Sequence, residues 1–153
     1  MIDVLWEAGE ARDEELVRRI EEAATAAMEG SARDLAVLLT DDASIAALNA
    51  QWRHVQGPTD VLSFPQGAPE PGVPDEAAPL GDVVISVETA RRQAAARGRP
   101  LASEVVFLLV HGLCHLQGHD HAEPQEAALM RAQEEYLLAL AAPGESRPPD
   151  LPY

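Results

Sequence analysis

The sequence predicts a single α+β domain, with a roughly four-stranded mixed sheet packed against about five helices. Three observations carry that expectation. Short apolar or β-branched runs suited to strands recur at residues 2–6, 35–39, 61–64 and 80–85, with helical patterns between and after them. Three consecutive helical patterns close the chain, which segregates helices from strands. At 153 residues and 46% apolar content, the chain has the size of one domain able to bury roughly 68–70% of its unfolded surface.

The first strand alternates Ile2, Val4 and Trp6 with Asp3 and Leu5, a pattern for one well-buried face. From about Asp13 to Met28, the residues Leu16, Val17, Ile20, Ala24, Ala27 and Met28 form an apolar stripe, and Gly30 stops the helix. Glu and Arg fill its solvated side. After the strand at Leu35–Leu39, Asp41 or Asp42 can cap a helix that turns Ile45, Leu48 and Trp52 inward. Gly57-Pro58 breaks that helix before the strand Val61–Phe64. Thr59 and Asp60 read as turn formers, and His54 as an exposed loop histidine.

Residues 66–79 hold four prolines and two glycines and few large apolar groups, so a mobile loop within the domain is expected. Strand pattern resumes at Leu80–Ile85. Ser86 can cap a helix through Arg92 to about Arg97, ended by Gly98 and Pro100. The helix from about Leu101 to Leu116 is apolar nearly all round and should be central and buried. Pro124 can open the last helix, with Leu129, Met130, Tyr136, Leu137 and Leu140 facing inward. The domain is thus placed at residues 1–142, with 143–153 as a flexible proline-rich tail, disordered or loosely docked.

Chemistry concentrates in HGLCHLQGHDH, residues 111–121, which holds four of the five histidines. On a helix, His111 and His115 lie four apart and present their imidazoles to one point. Gly118 can take a left-handed conformation, end the helix and let His121 return to the same place. Three nitrogen donors without a cysteine partner are the pattern of a catalytic zinc that keeps one position open, so a metal cleft is expected at the end of the central helix. The spacing is also that of the metzincin protease frame, HExxHxxGxxH. Gly112 occupies the place of its glutamate and can neither take a proton nor orient a water. Asp120 is a candidate for orienting an imidazole through its second nitrogen, or else a helix cap.

Composition narrows the function. Net charge is −15 and all eleven basic side chains are arginine, which excludes lysine Schiff-base and P-loop chemistry. So acidic a chain is no obvious nucleic-acid binder, although charges beyond about 8 Å are screened and a local cationic patch can dominate a cleft. Arg91, Arg92, Arg97 and Arg99 make the one basic cluster, with Arg91 and Arg92 as candidates for facing RNA phosphates. Cys114, the single cysteine, reads as core filler. The polar, acidic N-terminus and the shortness of the run VVFLLV give no signal peptide or membrane span, so a cytoplasmic protein with no membrane partner is expected. Arg53, read locally, is a surface or ion-paired arginine, since nothing nearby sets its direction.

Three segments together resemble the YbeY family of bacterial endoribonucleases. The family pattern HGxLHLxGYDH maps onto His111–His121, NxxYR…PTDVLSFP onto Asn49–Pro65, and LGDI-like residues onto Leu80–Val84. Departures are Cys114 for leucine, His119 for tyrosine, and Gln56 in place of an acidic residue before Pro58-Thr59-Asp60. The resemblance implies that His111, His115 and His121 bind one Zn2+ and that Arg53 is the catalytic or RNA-handling arginine at the rim of the cleft. His121 is chosen over His119 because it matches the family ligand. It implies single-strand-specific cleavage in maturation of the 3′ end of small-subunit ribosomal RNA and a role in ribosome quality control. Single-stranded rRNA and the ribosome or its small-subunit proteins are then the partners, with no DNA. Zinc lowers the pKa of a bound water from 15.7 to about 7 and polarises phosphoryl oxygens; attack by that water or by the RNA 2′-OH are both open. Two other readings stand beside it: a non-catalytic, zinc-stabilised ribosome assembly factor, and a zinc hydrolase of another substrate.

Overall fold

In the computed structural model, which describes residues 1–66, 71–72 and 74–153, a four-stranded sheet forms in the order β1-β2-β4-β3. The strands are β1 (Ile2–Trp6), β2 (Leu35–Thr40), β3 (Val61–Pro65) and β4 (Gly81–Ser86). β1, β2 and β4 run parallel, and β3 is antiparallel to β4 on the sheet edge. The helices are α1 (Glu14–Ala27), α2 (Asp42–Leu48), α3 (Val87–Arg97), α4 (Leu101–Leu116) and α5 (Pro124–Ala141). This is the mixed sheet with five helices that the patterns predicted.

The caps follow the sequence closely. Asp13, Asp41 and Ser86 accept the backbone N–H of Leu16, Ser44 and Thr89 at the starts of α1, α2 and α3, which satisfies donors that a helix leaves unpaired. Gly98 ends α3 in the left-handed region at φ 64°. Of the stretch 66–79, residues 67–70 and 73 lie outside the described residues. The remainder includes a short 3-10 turn at Asp75–Ala77, and Arg33 donates to the carbonyls of Ala78 and Pro79.

Both faces of the sheet are used. On one, Leu35, Val37, Leu39, Val83 and Ile85 pack with α1, α4 and α5 in the main core. On the other, Val84 and Leu62 pack with Ile45 of α2, flanked by Leu38, Leu48 and Phe64. β1 lies at an edge, so its alternating residues are only half-buried. α4 is the central helix, buried at twelve of its sixteen positions. Its Gly112 lies so close to β4 that a Cβ there would sit 2.7 Å from Val83 Cγ1.

Four expectations are corrected. Trp52 does not turn inward; it is 59% exposed, because after Leu48 the helix widens into a π-helical turn, Asn49–Arg53, which rotates it off the apolar stripe. On α5, Leu129 and Tyr136 are exposed, and the inner stripe is instead Met130, Glu134, Leu137, Leu138 and Ala141. These fall at positions i, i+4, i+7, i+8 and i+11 of one helix face. The tail, expected to be loose, is docked: Arg97 pairs with Asp150, Arg147 with Glu134, and Tyr153 enters the histidine cluster. The basic cluster of α3 is not a free cationic patch. Arg91 holds Glu10 with two nitrogens, Arg92 holds Asp42, and Arg97 pairs with the fully buried Glu104, where a lone carboxylate would carry a large desolvation cost.

Candidate metal centre

The last two turns of α4 place His111 and His115 on one face, and the chain then reverses. Gly118 at φ 94° makes the turn, and the His119 N–H donates to Cys114 O at 2.9 Å, closing the helix end. Asp120 Oδ1 accepts the His121 N–H at 2.7 Å, which shapes the backbone that brings His121 back. One nitrogen of each of His111, His115 and His121 lies within 4.8 Å of the other two. His119 stands outside the cluster.

The donor set fits a cation. His111 Nε2 and His115 Nε2 lie 3.2 Å apart. On its other side, the His111 Nδ1–H faces Glu134 Oε2 at 2.9 Å and the Tyr153 hydroxyl at 2.7 Å. A proton held there leaves the Nε2 lone pair of His111 toward His115 and His121. Burial, then the neighbouring His111 and His121, push the His115 imidazole below its usual range, which favours the neutral, ligating form.

Glu134 is fully buried, and both its oxygens are satisfied. Tyr153 donates to Oε2 at 2.7 Å, and Arg147 to Oε1 at 3.0 Å. Burial alone would raise its pKa, but the hydrogen bonds from His111 and Tyr153 and the charge of Arg147 outweigh it and hold the carboxyl below its ordinary value. Tyr153 also stacks flat on His121, 4.6 Å between centroids, while the Arg147 guanidinium covers the tyrosine ring. Burial, with the Glu134 charge, pushes the Cys114 thiol up to about 12. It stays protonated and fills core, as the sequence suggested.

Across from the histidines, β3 provides the second wall. Arg53 ends the π-helical turn, donates to Ser63 O, and lies over the Phe64 ring at 5.4 Å. It forms no ion pair among the described residues. Ser63 Oγ donates to Gly112 O at 3.1 Å and ties the edge strand to α4. Arg53, Ser63, Pro65, His115 and Asp120 line a cleft of about 370 Å³. Arg53 thus shares an open cavity with His115 of the histidine triad, a geometry suited to holding a phosphoryl group.

Among the sequence candidates, the structure brings His111, His115 and His121 together and sets Arg53 and Asp120 on the cleft wall. Asp120 makes no bond to an imidazole; Glu134 does what was expected of it. Arg91 and Arg92 face Glu10 and Asp42 and do not line the cleft. Glu134, Ser63, Arg147 and Tyr153 were missed. Only Glu134 left a trace in the sequence, as a carboxylate four residues after Met130 on the apolar face of α5, a position that demands a buried partner.

Comparisons with known proteins give the family and the fold. A family profile described as Endoribonuclease YbeY matches residues 5–141. A protein named Endoribonuclease YbeY from Rhodopseudomonas palustris strain BisB18 is 45% identical over 88% of this chain and 81% of its own length. One of the same name from Myxococcus xanthus is 51% identical over 72% of this chain, which spans 37% of that longer protein. The solution structure of TM1509 from Thermotoga maritima shares the fold, with a TM-score of 0.62 at 23% identity over 99% of this chain and 100% of that one. With the profile spanning nearly the whole domain, the chain belongs to the Endoribonuclease YbeY family.

Proposed function

We propose that this protein is a zinc-dependent, single-strand-specific endoribonuclease of the cytoplasm that matures the 3′ end of small-subunit ribosomal RNA and serves ribosome quality control. The observation that carries the proposal is the convergence of His111, His115 and His121 on one point, with Arg53 across the same cleft, in a chain of an endoribonuclease family. The three histidines would hold the ion. Zinc bound there would supply Lewis acidity toward a phosphoryl oxygen and acidify a water.

The protein's own groups do the rest. Glu134 keeps the proton of His111 on Nδ1. Arg53, with no carboxylate partner among the described residues, offers its donors to phosphoryl oxygens on which charge builds up during cleavage. Asp120, exposed on the wall, is an acceptor for a proton or a ribose hydroxyl. A peptidase reading is disfavoured because Val83 fills the space that a side chain at position 112 would need. No helix is long and apolar enough to cross a membrane among the described residues. The −15 charge favours delivery by basic small-subunit ribosomal proteins, since complementary charge speeds encounter.

The test pairs metal content by mass spectrometry with cleavage of a single-stranded RNA by wild type and Arg53→Ala. One zinc per chain and Arg53-dependent cleavage are expected. Zinc with no cleavage, even with ribosomes added, would favour a non-catalytic assembly factor; absence of bound metal would overturn the proposal.

A further inference from the structure

Resting on the endoribonuclease reading, we propose that the face of the sheet opposite the histidines carries a nucleobase subsite, in which a base next to the scissile phosphate stacks on Trp52. A groove of about 590 Å³ opens there beyond the end of α2. Leu38 and Val84 form its apolar floor, Trp52 and Phe64 its aromatic walls, and Arg53 and Asp82 its polar rim. Because side chains alternate along a strand, Phe64 faces this groove while Ser63 faces α4.

Arg53 joins the two cavities. It lines both the groove and the metal cleft, as does Pro65, and it reaches over β3, the edge strand. A nucleic-acid strand crossing that edge would set a phosphate on the guanidinium and the neighbouring base in the groove.

The chemistry of the groove selects a base over other occupants. Trp52 is 59% exposed and lines the groove beside Phe64, so indole surface is open to a ring entering there. Indole faces stack on any base, while an apolar floor offers nothing to a phosphate or a ribose. Asp82, exposed and paired in register with Phe64, repels phosphate and accepts N–H groups, so it favours a base with an exocyclic amino group. Among the described residues Arg53 is the one basic side chain on the groove, and it stands where groove and cleft meet.

The experiment uses the full chain. Of its two tryptophans, Trp6→Phe removes the one remote from the groove, leaving Trp52 as the sole indole. Titration with a 2′-O-methyl oligoadenylate should quench its fluorescence saturably, and the matching oligouridylate should bind more weakly. In cleavage assays Trp52→Ala should raise KM on the order of tenfold with kcat held, and Trp52→Phe should restore KM, as base–aromatic stacking predicts. Cleavage by wild type with no quenching, or an unchanged KM in Trp52→Ala, would overturn the subsite and leave the nuclease assignment standing. Quenching without any cleavage would sink the nuclease and the placing beside a scissile phosphate together, leaving only a base-binding groove. Equal quenching by both oligonucleotides would remove Asp82 from the proposal.

Discussion

Glu134 Oε2 lies 2.9 Å from His111 Nδ1, across the interface of α5 and α4. A buried carboxylate so placed holds the imidazole in one tautomer and one rotamer, which is how outer partners tune a metal ligand. Glu134→Gln, which keeps the shape, should weaken metal affinity by about 10–100-fold in a competition titration against a chelator. Unaltered affinity would mean that His111 is oriented by packing alone.

Arg53→Ala should leave metal content and fold intact, because the side chain's contacts are a strand carbonyl and a ring face at the surface. Cleavage should fall by about 10²–10³-fold, the typical loss when one donor to developing charge is removed. Full activity in single-turnover assays would end the role assigned to it.

The turn at Gly118 decides between two neighbouring histidines. His119→Ala should retain metal, whereas His111→Ala, His115→Ala and His121→Ala should each lose it, as read by mass spectrometry of the purified variants. A metal-free His119→Ala protein would show that the third ligand is His119.

Gly112→Ala would drive a methyl to 2.7 Å from Val83 Cγ1 and 3.2 Å from Ser63 Oγ. Such overpacking should cost about 1–3 kcal/mol and lower the thermal midpoint by roughly 2–4 °C per kcal/mol. An unshifted midpoint would show that α4 can lift off β4 freely.

Asp42 links three elements, accepting from Ser86 Oγ, Thr89 Oγ1 and Arg92. Partial burial raises its pKa, but these bonds more than offset it and hold the carboxyl below its ordinary value. A depressed folded-state pKa means that the stabilisation is present at neutral pH and disappears as pH falls through and below that value. Urea unfolding should therefore show Asp42→Asn less stable than wild type at neutral pH, with the gap closing in acid. A gap independent of pH would assign the effect to hydrogen-bond geometry rather than charge.

How much of this was legible beforehand depended on distance along the chain. The boundaries of α3 and α4 match their sequence signals because Ser86, Gly98 and the apolar run of residues 101–116 act within a turn or two of themselves. Trp52 departs from its pattern for a related reason: the apolar period of α2 continues past Leu48 in the sequence, but the helix changes its winding there. Hydrophobicity alone suggests Leu129 and Tyr136 for the inner face of α5, but the stripe through Met130, Leu137 and Leu138 excludes them.

By itself, then, the sequence determined the placing of His111 and His115 on one helix face, the turn at Gly118, the order of strands and helices along the chain, and glycine rather than glutamate at position 112. All of these are local, set by helical spacing, glycine conformation and side-chain chemistry. Tertiary structure alone decided the spatial order of the strands, the direction of Arg53, the neutralisation of Arg91 and Arg92, and the Glu134–Tyr153–Arg147 network behind the histidines. Those depend on partners such as Glu134 for His111, 23 residues apart, and Tyr153 for His111, 42 apart. A buried charge advertises that it needs a counterpart, but only packing of α5 and the tail against α4 determines which one it meets.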